Sequence, residues 1–123
     1  MDAPFTRIVA TPDGGCRFVD DAAPLADGDV APPAPPLGLG EVAGAVAVRF
    51  IGAPVGWDSP PHPAPARQWV VMVRGAVEAT TSDGETRRFG PGDAVLLADT
   101  SGTGHRTRVV GDDAWVAMVT VLA

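Results

Sequence analysis

Cysteine is almost absent from the sequence: Cys16 is the only one, so no internal disulfide can form. No histidine or second cysteine stands next to it, which leaves no sequence argument for a metal ligand or a nucleophile. We therefore expect Cys16 to be a small buried apolar residue.

Basic charge and long apolar runs are also scarce. Lys and Arg together number 9 against 15 Asp and Glu, which gives a net charge of -6 and a pI near 4.6. The chain lacks the basic surface with which proteins bind nucleic acid or an anionic membrane. No apolar run is long enough to span a bilayer, and the N-terminus lacks the features of a secretory signal. We expect a cytoplasmic protein without nucleic acid or membrane partners.

The familiar catalytic signatures are missing too. The sequence contains no nucleophile elbow, no dinucleotide-binding fingerprint and no zinc-finger spacing. The loop from Asp99 to Gly104 has the hydroxyls and glycines to bind an anion, but it lacks the Gly-Lys-Ser/Thr ending of a P-loop. No segment shows a sustained apolar period of 3.6 residues, so we expect very little helix.

Short β-prone segments separated by Gly and Pro make up most of the chain. They include residues 7–9 and 16–19, 43–51, 69–73, 76–81 and 86–89, 94–98, 105–110 and 114–122. This pattern predicts an all-β sandwich or barrel, and 123 residues are enough for one domain with its own core. The first two segments favour a hairpin or two edge strands. Residues 20–36, acidic and then Pro-rich, predict an extended surface loop.

Alternation along two strands predicts which side chains face the core. In the strand 43–51, Val46, Val48 and Phe50 share one face, which we expect to line the core. In the next strand Gln68, Val70 and Met72 share a face that we expect to point inward. The opposite face, with Trp69, Val71 and Val73, is equally apolar and should also be covered. Either the N-terminal strands or a second subunit covers it, and we favour a homodimer.

The segment from Gly56 to Gly75 resembles the first conserved motif of the cupins. Gly56, His62, Gln68 and Gly75 fall at the family spacing, while Ala64 replaces the second histidine and Gln68 the glutamate. The segment from Gly90 to Val109 is similar to the second motif. Gly102 and His105 keep its spacing, with a loop two residues longer, Thr100 in the proline place and Val109 in the asparagine place.

The resemblance implies a single cupin domain with a jelly-roll barrel. Residues 1–42 would form N-terminal strands and a Pro-rich loop, and residues 43–123 the barrel core. It also implies that His62, Gln68 and His105 meet where most cupins hold a divalent metal. Two imidazoles and an amide form a weak cage without an anion to offset the ion's charge. We therefore favour a metal-free site, with Zn, Fe, Mn or Ni bound to these three residues as the alternative.

The function expected from these residues is binding of a small organic molecule in the barrel. We expect His62, His105 and Gln68 to be catalytic in metal-independent proton transfer of the isomerase, cyclase or lyase type, because histidine exchanges protons near neutral pH. Trp57, Arg67, Val70 and Met72 are the expected substrate-binding residues. The alternatives are a metal-dependent dioxygenase or lyase and a non-catalytic ligand-binding module.

Overall fold

The computed structural model describes all residues from 1 to 123, and it contains eleven β-strands and no helix. In chain order the strands are β1 (Asp2–Ala10), β2 (Cys16–Pro24), β3 (Ala26–Gly28), β4 (Leu37–Leu39), β5 (Ala45–Ala53), β6 (Gln68–Arg74), β7 (Ala76–Thr80), β8 (Thr86–Phe89), β9 (Ala94–Ala98), β10 (Arg106–Val110) and β11 (Trp115–Leu122). The prediction of an all-β chain is confirmed. Because every regular element is a strand, the chain has no helix with which to cross a bilayer.

The strands form two main sheets and a small hairpin. The larger sheet has six strands in the order β2-β1-β9-β6-β11-β5, and the smaller has three in the order β10-β7-β8. All neighbours pair antiparallel except β1 and β9, which run parallel. Strands β3 and β4 form a separate two-stranded hairpin. This arrangement is compatible with a β-sandwich or jelly roll.

One hydrophobic core lies between the two main sheets. The six-stranded sheet contributes residues such as Ile8, Val70 and Val119, and the three-stranded sheet contributes Val77 and Phe89. Alternation explains which side chains form this core. Successive side chains of a strand point to opposite faces, and only one face of each sheet packs against the other sheet. The inward orientation predicted for Gln68, Val70 and Met72 is confirmed, and all three are buried. Cys16 is buried and unpaired, as expected.

The N-terminal hairpin is part of the large sheet. Strands β1 and β2 pair antiparallel, as predicted, but β1 is not an edge strand because it also pairs with β9. Phe5 packs edge-on against Trp69, with ring centroids 4.7 Å apart. The N-terminal strand thus covers part of the outer face of β6 and leaves the rest of that face exposed. The surface loop predicted for residues 20–36 is only partly correct, since β2 continues to Pro24 and residues 26–28 form β3.

The orientation predicted for strand β5 is wrong. Val46, Val48 and Phe50 are 64%, 64% and 67% exposed, and they do not line the core. Register explains the reversal: Phe50 pairs with Met118 of β11, whose side chain points outward, whereas Ile51 pairs with the fully buried Ala117. β5 therefore turns Ile51 and Ala53 toward the core and its larger apolar side chains toward solvent.

Candidate functional site

A cavity of about 150 Å³ lies between the two main sheets. Twelve of its seventeen lining residues are apolar, so its wall is an extension of the core. An engineered apolar protein cavity of about 150 Å³ is large enough to hold benzene. The cavity therefore fits a molecule of about one six-membered ring, in contact with a few polar groups.

Strand β6 supplies one wall of the cavity. Gln68, Val70 and Met72 all line it, because residues two apart on a strand share a face. Gln68 places a carboxamide, which is both a hydrogen-bond donor and an acceptor, beside two apolar side chains. In an apolar cavity such a group orients a ligand through its polar atoms.

His105 is held at the cavity by a buried carboxylate. Asp99 Oδ2 accepts a hydrogen bond from His105 Nδ1 at 2.6 Å and another from the His105 backbone N–H at 3.1 Å. Asp99 is fully buried and its Oδ1 has no hydrogen-bond partner. Since the carboxylate accepts from Nδ1, we assign the Nδ1–H tautomer to the neutral His105 ring. Its Nε2 is then left with a lone pair that can accept a proton.

His62 lies beside His105 at the exposed side of the cavity. The two ring centroids are 5.7 Å apart, and both residues line the cavity. His62 Nδ1 is 2.9 Å from the carbonyl oxygen of Pro60, which can only accept, so Nδ1 again carries the proton when the ring is neutral. His62 is exposed whereas His105 is buried. The two imidazoles therefore differ in environment, one backed by a carboxylate and the other in contact with solvent.

The segment that carries His62 is tied to the site by its backbone. We call residues 54–67 the histidine loop. Its His62 N–H donates to the His105 carbonyl at 3.1 Å, and its Ala64 N–H donates to the Asp99 carbonyl at 3.0 Å. Gly104 has a positive φ of +75°, and a Cβ at this position would collide with the backbone of His62. The absence of a side chain at Gly104 thus allows the histidine loop to lie against His105.

The remaining predicted residues divide into two groups. Trp57 lines the cavity together with Gln68, Val70 and Met72. Arg67 is exposed and is not among the lining residues. Beside Trp57, the Asp58 carboxylate is directed at Arg106, and the hydrogen bond from this guanidinium lowers the pKa of the Asp58 carboxyl.

Asp99 is the site residue that sequence reasoning did not identify. From the sequence, Asp99 is only the first residue of a loop that could bind an anion. In the structure, Thr103 of this loop donates its hydrogen bonds to the carbonyl of Gly14 instead. A signal was available: Asp99 directly follows the apolar strand β9 and precedes His105 by six residues. A carboxylate at the end of a buried strand needs a buried partner, and His105 is the polar residue within reach.

The donor set fits a divalent metal poorly. The polar residues that line the cavity are His62, Gln68, His105 and Thr107, none of which carries a negative charge, and Ala64 supplies no ligand. No group of three His, Cys, Asp or Glu side chains lies close enough to hold an ion. Asp99 is directed at Nδ1 of His105 and away from the ligand side of the ring. Two neutral imidazoles and an amide leave the charge of a divalent ion uncompensated.

Comparisons with known proteins do not assign the chain to a family. No protein-family model matches the sequence. No curated protein matches it significantly either.

Proposed function

We propose that the chain is a cupin-type jelly roll whose cavity binds a small, mainly apolar organic molecule and catalyses proton transfer on it without a metal. The observation that carries the proposal is the buried Asp99–His105 pair at the wall of an apolar cavity. A histidine with Nε2 free and a carboxylate on Nδ1 is suited to act as a general base, because the carboxylate stabilises the imidazolium that forms. The motif spacing around His62 and His105 supports the cupin part of the proposal.

The substrate class we propose is a carbonyl compound of about the size of one ring. His105 Nε2 removes a proton from the carbon next to the carbonyl group, and the electron pair of that C–H bond moves onto the carbonyl oxygen. The carboxamide of Gln68 donates a hydrogen bond to this oxygen. His62, protonated at Nε2, then delivers a proton to carbon or oxygen, so that one proton leaves the substrate and one returns. The overall reaction is an isomerisation and needs no oxidant.

The apolar walls contribute to this chemistry through their low polarity. Charge–charge and hydrogen-bond interactions are stronger in a medium of low dielectric constant than in water. Val70 and Met72, on the same wall as Gln68, and Trp57 place apolar surface beside the substrate and so help to exclude water from it. The interaction between Asp99 and the imidazolium of His105 is therefore little screened by solvent, because both side chains are buried.

The proposal is tested by carbon-bound proton exchange. The protein is incubated in D₂O with a panel of cyclic ketones and β-dicarbonyl compounds of up to about ten heavy atoms, and proton NMR follows the loss of the C–H signal. A positioned base contributes about 10²–10⁴-fold, so His105→Ala should reduce the exchange rate by that factor. Arg17→Ala, an exposed position on β2, is the control and should exchange at the wild-type rate. Full activity of the His62→Ala, His105→Ala double variant excludes the mechanism.

The same experiment separates the two alternative functions. If panel compounds bind but none exchanges, and His105→Ala weakens binding, the chain is a ligand-binding module. If exchange or turnover requires added Zn, Fe, Mn or Ni, and near-stoichiometric metal is lost in both single histidine variants, a metal-dependent dioxygenase or lyase is favoured. The metal-dependent alternative is worth testing because a carboxylate hydrogen-bonded to Nδ1 also orients histidines that bind metals through Nε2.

A further inference from the structure

The polar side chains of the cavity lie at one end of it, which we call the histidine end. His62 belongs to the histidine loop, and Gln68 is the residue that follows this loop at the start of β6. His105 and Thr107 lie two residues apart where β10 begins. The Thr107 carbonyl accepts a hydrogen bond from the Ser59 N–H, which belongs to the histidine loop. All four polar lining residues are therefore next to this loop or part of it.

The opposite end of the cavity is closed by three connections between the two main sheets. They are Gly75 between β6 and β7, residues 90–93 between β8 and β9, and residues 111–114 between β10 and β11. A Cβ on Gly75, which has a positive φ of +70°, would collide with the carbonyl of Ala114. A Cβ on Gly90 would lie 3.8 Å from the carbonyl oxygen of Gly75. The three connections thus lie against one another, and we call this the closed end.

The side chains that line the closed end are large and apolar. Met72 lies three residues before Gly75, while Phe89 and Trp115 are directly adjacent to the other two connections. They are only 6%, 6% and 8% exposed. Trp115 Nε1 donates a hydrogen bond to Met72 Sδ at 3.3 Å, so the indole N–H already has a partner. The closed end therefore offers a ligand apolar contact alone.

Strand β6 connects the two ends along one wall. Gln68 and Met72 are four residues apart on this strand, which corresponds to about 13 Å at about 3.3 Å per residue. The exposed lining residues are Trp57, His62 and Pro65, and all three belong to the histidine loop. A ligand therefore enters past the histidine loop and reaches the closed end last.

We propose that the cavity takes an amphipathic carbonyl compound with its apolar end first, and that Met72 and Trp115 determine how long this apolar end can be. The carbonyl group then lies among the polar side chains of the histidine end. Desolvation favours this orientation, because a carbonyl group at the closed end would lose its hydrogen bonds to water and gain none from the protein. The carbonyl part of the inference rests on the proposed function, whereas the direction of the apolar end rests on the lining of the cavity.

The test uses cyclohexanones that carry hydrogen, methyl, ethyl or propyl at the carbon opposite the carbonyl group. NMR titration of the full chain gives the dissociation constant of each compound. A buried methylene group strengthens binding about fourfold, so the methyl compound should bind about fourfold more tightly than cyclohexanone. A cavity of about 150 Å³ is nearly filled by one ring, so the propyl compound should bind at least tenfold more weakly than the methyl compound.

Met72→Ala is the deciding variant. It removes three heavy atoms from the closed end, and the space left by such a truncation in a packed core remains partly open. The propyl compound should then bind at least tenfold more tightly than it binds to the wild type. Met118→Ala is the matched control, since Met118 lies on the outer face of β11 at 36% exposure, and it should keep the wild-type order. Circular dichroism checks folding; should Met72→Ala fail to fold, Trp115→Phe replaces it, with an expected gain of at least threefold.

Contacts of the bound ligand give a second readout. Nuclear Overhauser effects should connect the methyl end of the ligand to Met72 and Trp115. The proposal is overturned by an unchanged order of affinities in the closed-end variant, by contacts of the methyl end with His62 instead, or by a lack of binding throughout the series. Proton exchange in D₂O is recorded on the same samples. Binding in the expected order without exchange supports the orientation and refutes the proposed catalysis, whereas exchange with an unchanged order does the reverse.

Discussion

Replacing Asp99 by Asn tests the role of the buried carboxylate directly. The substitution keeps the size of the side chain but removes its charge. The Asn Oδ1 can accept the hydrogen bonds from His105 Nδ1 and from the His105 backbone N–H, now made at 2.6 and 3.1 Å to one carboxylate oxygen. The Asn amino group then takes the place of Asp99 Oδ1, an atom without a hydrogen-bond partner. We therefore expect the fold and the position of the ring to survive.

The expected loss is the charge-assisted part of one hydrogen bond. Hydrogen bonds to charged groups contribute about 1.5–3 kcal/mol against about 1 kcal/mol for neutral ones. When His105 accepts a proton, the wild type stabilises the imidazolium by up to about 2 kcal/mol more than Asp99→Asn does. At 1.36 kcal/mol per factor of ten, the proton-exchange rate should fall about ten- to thirtyfold.

The assay combines the rate with a spectroscopic readout. Deuterium exchange of the best panel compound gives the rate, and nitrogen-15 NMR of labelled histidine gives the tautomer. Wild-type His105 should be the Nδ1–H tautomer when neutral, and Asp99→Asn should retain it because the amide oxygen still accepts. An Nε2–H tautomer in the wild type, or an unchanged exchange rate in Asp99→Asn, would refute the assignment of His105 as a base backed by Asp99.

Three further predictions concern the surroundings of the site. Gly104→Ala should displace His62 and reduce the proton-exchange rate more than tenfold. Gly14→Ala is its control, because Gly14 has a similar positive φ of +84° but open space at the Cβ position, and this variant should lose only stability. NMR shifts of the His62 ring and thermal unfolding separate the two effects. Ala64→His combined with Gln68→Glu should raise zinc affinity at least a hundredfold in isothermal titration, since it adds an imidazole and an anion; equal affinity in both proteins contradicts the donor-set argument. Cys16 should resist alkylation by iodoacetamide at pH 8 until the protein is unfolded, because burial raises the pKa of its thiol and the thiolate is the reactive species. Rapid alkylation of the folded protein would show that Cys16 is accessible to solvent.

The sequence predicts best where a strand is buried on one face and its neighbours are close in the chain. Alternation predicts the inward orientation of Gln68, Val70 and Met72 correctly, because β6 lies between two other strands of the sheet and its inward face packs against the core. The β-prone segments 76–81 and 86–89 likewise appear as the antiparallel strands β7 and β8, and the Asp-Gly pair between them is typical of a hairpin turn. In both cases the local pattern contains the deciding information.

Strand β5 shows that the local sequence pattern does not determine which face of a strand is buried. Its alternating Val46, Val48 and Phe50 are typical of a core face, and only its register with β11 at the sheet edge turns them outward. Register between strands far apart in sequence is a property of the whole fold. Asp99 was missed for a related reason, since the turn that brings it back to His105 depends on Gly102 and Gly104 at positive φ.

The composition of the histidine loop affects how the site responds to a ligand. Pro60, Pro61, Pro63 and Pro65 surround His62 and restrict the backbone on both sides of it. Their fixed φ angles leave the loop few backbone conformations, so it has less conformational entropy to lose when a ligand binds. Ligand binding then requires little additional ordering. A loop rich in glycine at the same place would close on its ligand by induced fit, whereas this one presents His62 in a preorganised position.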